Sequence, residues 1–381
     1  MVRTEAPTSE ADFTASEGHS LLSRLYTGTG AFAIVENRRR WYAVTIAILV
    51  VCGLGMGVRG FNLGIEFKGG SQISLPADNV GSVTDVKDAF SSVMGHSAES
   101  VQSVGSGNAK TVQIRTSTLS TDDTVKLRNG LVERFGKDGL TLEKVSSSDI
   151  SSSWGGEVTK KMLIALAVFL ALVLVYITIR FDREMAVASL ASLIFDVGCT
   201  AGVYALLGLE VTPATVVGLL TILGFSIYDT VVVFDKVEEN TRGVLNTTRR
   251  TYAEQANLGI NQTLMRSINT TVISVLPILS LMVVAVWLLG IGTLKDLGVI
   301  QLVGVIVGAY SSIFLASTLL VTLKELRPEI KAHNKKVLAR RERIAAGDVD
   351  GAVEIAKRER SAATAAAPRP GARPAGKRRR K

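Results

Sequence analysis

Asp229 lies in the run VTPATVVGLLTILGFSIYDTVVVF (Val211 to Phe234), a segment otherwise long and apolar enough to cross a bilayer. A carboxylate near mid-membrane costs about 2.5 to 3.5 kcal/mol on insertion scales, so it calls for a partner or a function. The next apolar run, RSINTTVISVLPILSLMVVAVW, opens with Arg266. An acid and a base on consecutive spans suggest ion coupling. Ser226 precedes Asp229 by one helical turn and Thr230 adjoins it, while Arg266 shares a face with Asn269, Thr270 and Ser274. Two helices with such stripes can line a wet interior path or pair their stripes against each other. Two plainer readings stay open: a static Asp229–Arg266 salt bridge, or an Arg266 that only snorkels to the nearby interface.

Asp196, in ASLASLIFDVGCTAG, is a second carboxylate at membrane depth, with Gly198 and Gly202 permitting close helix approach. A structural hydrogen bond and a relay role are both open for it. In the last apolar run, GVIVGAYSS places Gly304 and Gly308 in a G-x-x-x-G with Ser312 one turn further, a helix-packing face of low specificity. The chemistry of a relay is definite. Desolvation raises a carboxyl's pKa and a nearby guanidinium lowers it, so a carboxyl whose arginine moves away changes protonation. Each charge crossing the membrane yields about 2.3 kcal/mol per 100 mV.

The elements that must position these groups are membrane helices. Of 381 residues 47% are hydrophobic, and they gather into six runs of spanning length: Trp41–Val58, Met162–Ile179, Ala186–Leu207, Val211–Phe234, Ser267–Leu289 and Leu297–Leu323. The first starts too far into the chain, is too long for a signal h-region and lacks a small-residue cleavage site, so it reads as a retained span. Arg38, Arg39, Arg40, Arg180, Arg183, Lys236, Arg242, Arg249 and Arg250 all lie on one side of the spans. The short opposite connections, Gly208–Glu210 and Gly290–Asp296, hold only Lys295. Positive-inside bias therefore predicts a multi-pass membrane protein with both termini cytoplasmic. The net charge of +9 comes mostly from a basic tail ending KRRRK.

The predicted division is a cytoplasmic N-terminal segment over 1–40, a first span over 41–59, an extracytoplasmic α+β domain over 60–160, a five-helix bundle over 161–327, and a disordered basic tail over 328–381. Within the insert, GIEFKGGSQISL reads as a strand broken at Gly69–Gly70 and VTDVKDAFSSVM as a helix. A strand near Val101 and another at TVQIR follow, flanked by Gly105–Gly107 turn signals. TDDTVKLRNGLVERF reads as a helix capped by Thr121, LTLEKV as a closing strand, and SSSDISSSWGG as a linker. The order β-α-β-β-α-β is the ferredoxin-like pattern. TRRTYAEQANLGINQTL reads either as an amphipathic helix on the inner surface or as a solvated linker. Cys52 and Cys199 fall in spans, so no disulfide framework is available to the soluble parts. His19, His96 and His333 are scattered without ligand spacing, so no metal and no cofactor are predicted.

Four segments resemble, in order, motifs of the SecD/SecF family of protein-export membrane subunits, distant relatives of RND transporters. MGVRGFNLGIEFKGGSQI is similar to the family's F-N-x-G-[IL]-D-F-x-G-G-T signature after the first span. LGFSIYDTVVVFDKVEEN, NQTLMRSINTT and IVGAYSSIFLAS are similar to its fourth-, fifth- and sixth-helix motifs. The resemblance implies that Asp229 and Arg266 take part in proton-driven function and aligns Asp196 with a third-helix aspartate. Tyr228 stands in place of the family's Asn, Phe195 in place of its His, and Glu66 in place of its Asp; SSSWGGEV replaces a Val-Gly-Pro segment. The resemblance further implies an accessory, non-enzymatic subunit of the Sec translocase, set in the bacterial cytoplasmic membrane. It would work with a SecD-like subunit, the SecYEG channel, a translocating preprotein and membrane lipids, and with no specific nucleic acid.

Two other functions are weighed. A stand-alone RND-type exporter of lipids or drugs carries two six-span halves in one chain, where one is read here. An intramembrane aspartyl protease matches Tyr228–Asp229 but also needs Gly-x-Gly-Asp on the following helix, and that helix has none.

Overall fold

The computed structural model describes residues 32–104, 110–284 and 292–346. The Gly105–Gly107 turn and most of the N-terminal segment and terminal tail lie outside the described residues. Among the described residues, six helices are long and apolar enough to cross a membrane. They are α1 (Arg38–Arg59), α5 (Ser152–Arg180), α6 (Arg183–Leu207), α7 (Pro213–Thr241), α8 (Tyr252–Leu281), and the run of α9 (Gly292–Tyr310), a π-helical turn (Ser311–Ala316) and α10 (Ser317–Glu325).

Between α1 and α5 stands a small domain. Its elements are β1 (Asn62–Leu63), α2 (Ile65–Lys68), β2 (Gly70–Pro76), α3 (Val83–Met94), β3 (Ser100–Val104), β4 (Thr111–Thr116), α4 (Thr121–Phe135) and β5 (Ser146–Ile150). The sheet order is β3-β4-β2-β5, with every pair antiparallel. Register places Ile73 opposite Ile114 and Leu75 opposite Val112. These four, with Val86 and Phe90 of α3 and Leu127 and Leu131 of α4, are buried in one core. Each such side chain contributes about 1.5 to 3 kcal/mol on burial. Helix α3 starts on a Ser82–Asp85 capping box and stops at Gly95, whose φ of +77° suits glycine.

Several expectations are corrected. GIEFK is not strand: Ile65–Lys68 forms a helical turn, and the strand begins at Gly70. LTLEKV contains a 3₁₀ turn, Leu142–Lys144, and the closing strand lies instead in the Ser-rich stretch Ser146–Ile150. That edge strand is held by main-chain pairing to β2 with mostly exposed side chains, so no apolar alternation announces it. The cap of α4 is Ser120, which accepts from the Asp123 N–H at 3.1 Å, not Thr121.

The stretch around Tyr252 is neither a surface helix nor a linker; it is the first half of α8, continuous into the membrane span. The segment before α1 is clipped to it by carboxamides one turn apart. Asn261 Oδ1 accepts from the Phe32 N–H at 3.0 Å, and Asn257 Oδ1 accepts from Ile34 and Val35 at 3.0 and 3.1 Å. The tail is not disordered from its start. Pro328–Ala345 forms helix α11, which buries Ile330, His333 and Val337 and pairs Arg341 with Glu254 at 2.7 Å. Its few apolar residues find partners in the α7–α8 connection and the bundle end of α10, which composition does not reveal.

In the bundle, Gly202 lets α1 approach α6: a Cβ there would lie 2.2 Å from Cys52 Cβ. Gly198 is not tight, its nearest neighbour being Leu49 at 3.9 Å. Gly304 and Gly308 both face α7, where added Cβ atoms would meet Ile222 at 2.4 Å and Ser226 at 3.1 Å.

Candidate functional site

The centre of the bundle is built from α6, α7, α8 and the π-helical turn. Helix α7 begins at TPAT, where Thr212 caps, Thr215 completes a capping box and Pro213 takes the first helical position. That start fixes the phase of the helix. One turn-spaced face then carries Ser226, Asp229 and Thr230, all buried.

Asp229 receives one hydroxyl on each oxygen. Ser267 of α8 donates to Oδ1 at 2.8 Å, and Ser312 of the π-helical turn donates to Oδ2 at 2.5 Å. Ser267 was not singled out in the sequence, and Ser312 was expected only to pack. The signal that points to them is a small hydroxyl residue on the bundle-facing side of each neighbouring helix, and helix phase must be known to read it.

Asp196 of α6 sits nearby and is bonded by Ser226, whose hydroxyl donates to Oδ2. The hydroxyl of Ser311 lies beside the same carboxyl. Successive serines of the π-helical turn thus address the two carboxyls: Ser311 faces Asp196 and Ser312 binds Asp229. Ser226, which donates to Asp196, lies one helical turn before Asp229 on α7. Along α6, Ser189, Ser192, Asp196 and Thr200 form one buried stripe at helical spacing. Asp196 Oδ1 and the three hydroxyls have no hydrogen-bond partner among the described residues. Buried polar atoms of this kind are satisfied by water or an ion in most proteins, and their alignment gives α6 a continuous hydrophilic file.

Arg266 is not part of this cluster. It forms no ion pair with Asp229; its Nη2 donates to the Tyr228 hydroxyl at 3.3 Å on the outer surface of the bundle, where both residues are exposed. Asn269 is exposed, Thr270 donates to the Arg266 carbonyl at 2.8 Å, and Ser274 is half-buried. The expected polar face of α8 therefore points away from Asp229. Its neighbour Ser267, about 100° further round the helix, points inward. Among the described residues no cluster of His, Cys, Asp and Glu could hold a metal ion.

Two buried acids on neighbouring helices are each held by serine hydroxyls, and no ion pair to either is formed among the described residues.

Residues 132–326 match the family model "Protein export membrane protein SecD/SecF, C-terminal", and residues 55–79 match the "SecD/SecF GG Motif". Protein translocase subunit SecF of Mycobacterium tuberculosis is 52% identical over 381 residues, covering 93% of this chain and 86% of that one. The Mycobacterium leprae subunit SecF is 57% identical, covering 84% and 70%. The crystal structure of SecDF, a translocon-associated membrane protein from Thermus thermophilus, aligns with a TM-score of 0.66 at 31% identity. The alignment covers 77% of this chain and only 39% of that longer one.

Proposed function

The chain belongs to the SecD/SecF family of protein-export membrane proteins, and from that premise we propose that it uses the proton motive force, with a SecD-like partner, to promote passage of preproteins through the Sec channel. Family membership makes it a non-enzymatic translocase subunit of the membrane, and the stand-alone exporter is not favoured. In this reading the inserted α+β domain is ferredoxin-like, as its β-α-β-β-α-β order and β3-β4-β2-β5 sheet suggest. It faces outward with both termini cytoplasmic, as the basic residues flanking the spans favour. SecYEG, the preprotein and lipids complete the list of partners.

The observation that carries the reading is the pair Asp229 and Asp196, each buried and held by serine hydroxyls, with Arg266 set apart on the outer surface. An arginine exposed at membrane depth is costly unless another chain covers it. The α7–α8 surface bearing Arg266 and Tyr228 is where the SecD-like subunit docks, and a proton reaching Asp229 changes the hydroxyl network that α7, α8 and the π-helical turn share. Arg266 acts across that interface rather than as a permanent partner of Asp229.

The test is a pulse-chase of a secreted precursor in cells depleted of this protein and rescued by wild type or D229N at equal membrane levels. Asparagine keeps the shape and cannot titrate. Rescue by wild type alone is expected. Equal rescue by D229N reduces Asp229 to a structural group, and no export defect on depletion removes the export role.

A further inference from the structure

Helices α6 and α7 carry the two aspartates, and they are joined by a short turn that contains Glu210. Its carboxylate pairs with Arg115 of β4, in the sheet of the inserted domain; the two side chains are only 14% and 10% exposed. Arg115 is itself held by Gln72 of β2, to whose Oε1 its Nε donates at 3.0 Å. The same turn is gripped by main chain. Glu210 and Val211 form strand β6, which pairs in parallel with β1, and the Gly64 N–H donates to the Val211 carbonyl at 2.8 Å. A Cβ at Gly64 would lie 2.3 Å from the Glu66 carboxylate and 3.1 Å from that carbonyl, so the two backbones meet closely here.

Among the described residues, Arg115–Glu210 is the one ion pair between the inserted domain and the helical bundle. We infer that this pair is the joint through which the two aspartate-bearing helices move the inserted domain. The inference rests on the reading of Asp229 and Asp196 as the coupling site. A shift between α6 and α7 at the Asp196–Ser226 hydrogen bond reaches the turn along rigid helix, roughly 17 Å away at ~1.5 Å per residue. There it meets a guanidinium, a planar donor whose bonds to carboxylate fix direction as well as distance. Beside this pair, the Asn62 side chain of β1 donates to the Gly208 carbonyl at 3.1 Å, and Gly155 of α5 packs against the Phe67 main chain of α2.

A buried ion pair adds little net stability compared with apolar residues, because desolvation offsets most of its attraction. Its place at the turn between α6 and α7 is accounted for by positioning. Glu66, Glu99 and Asp296 surround the pair with further negative charge, and Lys295 with positive charge. Arg115 is thus a cation felt by both Glu210 and Asp296.

The experiment uses the full chain with its SecD-like partner in sealed vesicles, spin-labelled at Lys126→Cys on α4 and Ile306→Cys on α9, both exposed positions. The distance distribution is recorded with and without an imposed proton gradient. Wild type is expected to shift on energisation, E210Q and R115M to lose the shift, and the reversed pair R115E/E210R to regain it. Full movement in E210Q, or none in wild type, overturns the joint. D229N separates the two ideas. A still D229N beside a moving E210Q sinks the joint and leaves the relay. A moving D229N sinks the relay, and the joint is then judged on E210Q alone.

Discussion

Ser267, and not the adjacent Arg266, is the residue of α8 that binds Asp229: its hydroxyl donates to Oδ1 at 2.8 Å while Arg266 reaches outward to Tyr228. The membrane carboxylate is thereby kept by neutral donors. No ion pair ties it to Arg266, whose side chain lies on the exposed face of the bundle.

The first prediction concerns those donors. S267A and S312A each remove one hydroxyl from a buried carboxyl, at about 1.5 to 3 kcal/mol for a hydrogen bond to a charged group. Each is expected to lower the thermal midpoint of the detergent-solubilised protein and to reduce export stimulation. Ser267→Thr, which keeps the hydroxyl, should restore most of both. Wild-type export in the S267A/S312A double variant would show that the network is idle.

A second prediction addresses Arg266. If its exposed side chain meets a SecD-like subunit, R266A weakens co-purification of the two while leaving the membrane level of this chain unchanged. R266K should fall between, since a lysine keeps the charge without the planar donor set. Undiminished co-purification in R266A would place the docking surface elsewhere.

Packing gives a third. A Cβ at Gly304 would lie 2.4 Å from Ile222, and one at Gly202 2.2 Å from Cys52. G304V and G202V are each expected to destabilise by about 1 to 3 kcal/mol through overpacking. Gly198, whose nearest neighbour is 3.9 Å off, should accept alanine. Thermal unfolding of the three variants ranks them, and equal midpoints would contradict the helix contacts.

The fourth concerns pH at the domain joint. Burial pushes the Glu210 carboxyl above its ordinary value of 4.5, with Arg115 pulling the other way and Glu66 and Glu99 adding to the rise. A raised folded-state pKa means that the folded chain binds this proton more tightly than the unfolded chain. The stabilisation is fully present below pH 4.5 and is lost as pH climbs through the raised value. Wild type should therefore gain thermal stability relative to E210Q on acidification from about pH 7.5 toward 4.5. Parallel melting curves for the two would mean that Glu210 titrates as a free carboxylate.

Much of this was readable before any coordinates. Asp229 and Asp196 stand out because a carboxylate inside an apolar run has few reasons to be there. The strands TVQIR and SQISL, and the helices VTDVKDAF and TDDTVKLRNGLVERF, follow from residue periodicity and turn signals, though the cap of the second helix is Ser120 rather than Thr121. The closing strand was missed because Ser146–Ile150 makes its contribution through the backbone, and helix α11 because its apolar positions are too few to register without the loop they cover. Arg266 was drawn toward Asp229 by charge alone, whereas the helix turns it away.

The sequence by itself determined that six segments are long and apolar enough to cross a membrane, where the costly charges lie and which family's motifs the chain carries, because apolar length and residue type are local properties. The tertiary structure decided which hydroxyls attend each carboxyl, where Arg266 points and how Arg115 meets Glu210. Lipid tails are as apolar as a helix interface, so a spanning segment can be hydrophobic all round and its rotation leaves little trace in periodicity. Only packing against neighbours, set here by close contacts such as Gly202 against Cys52 and Gly304 against Ile222, turns each helix to its working face.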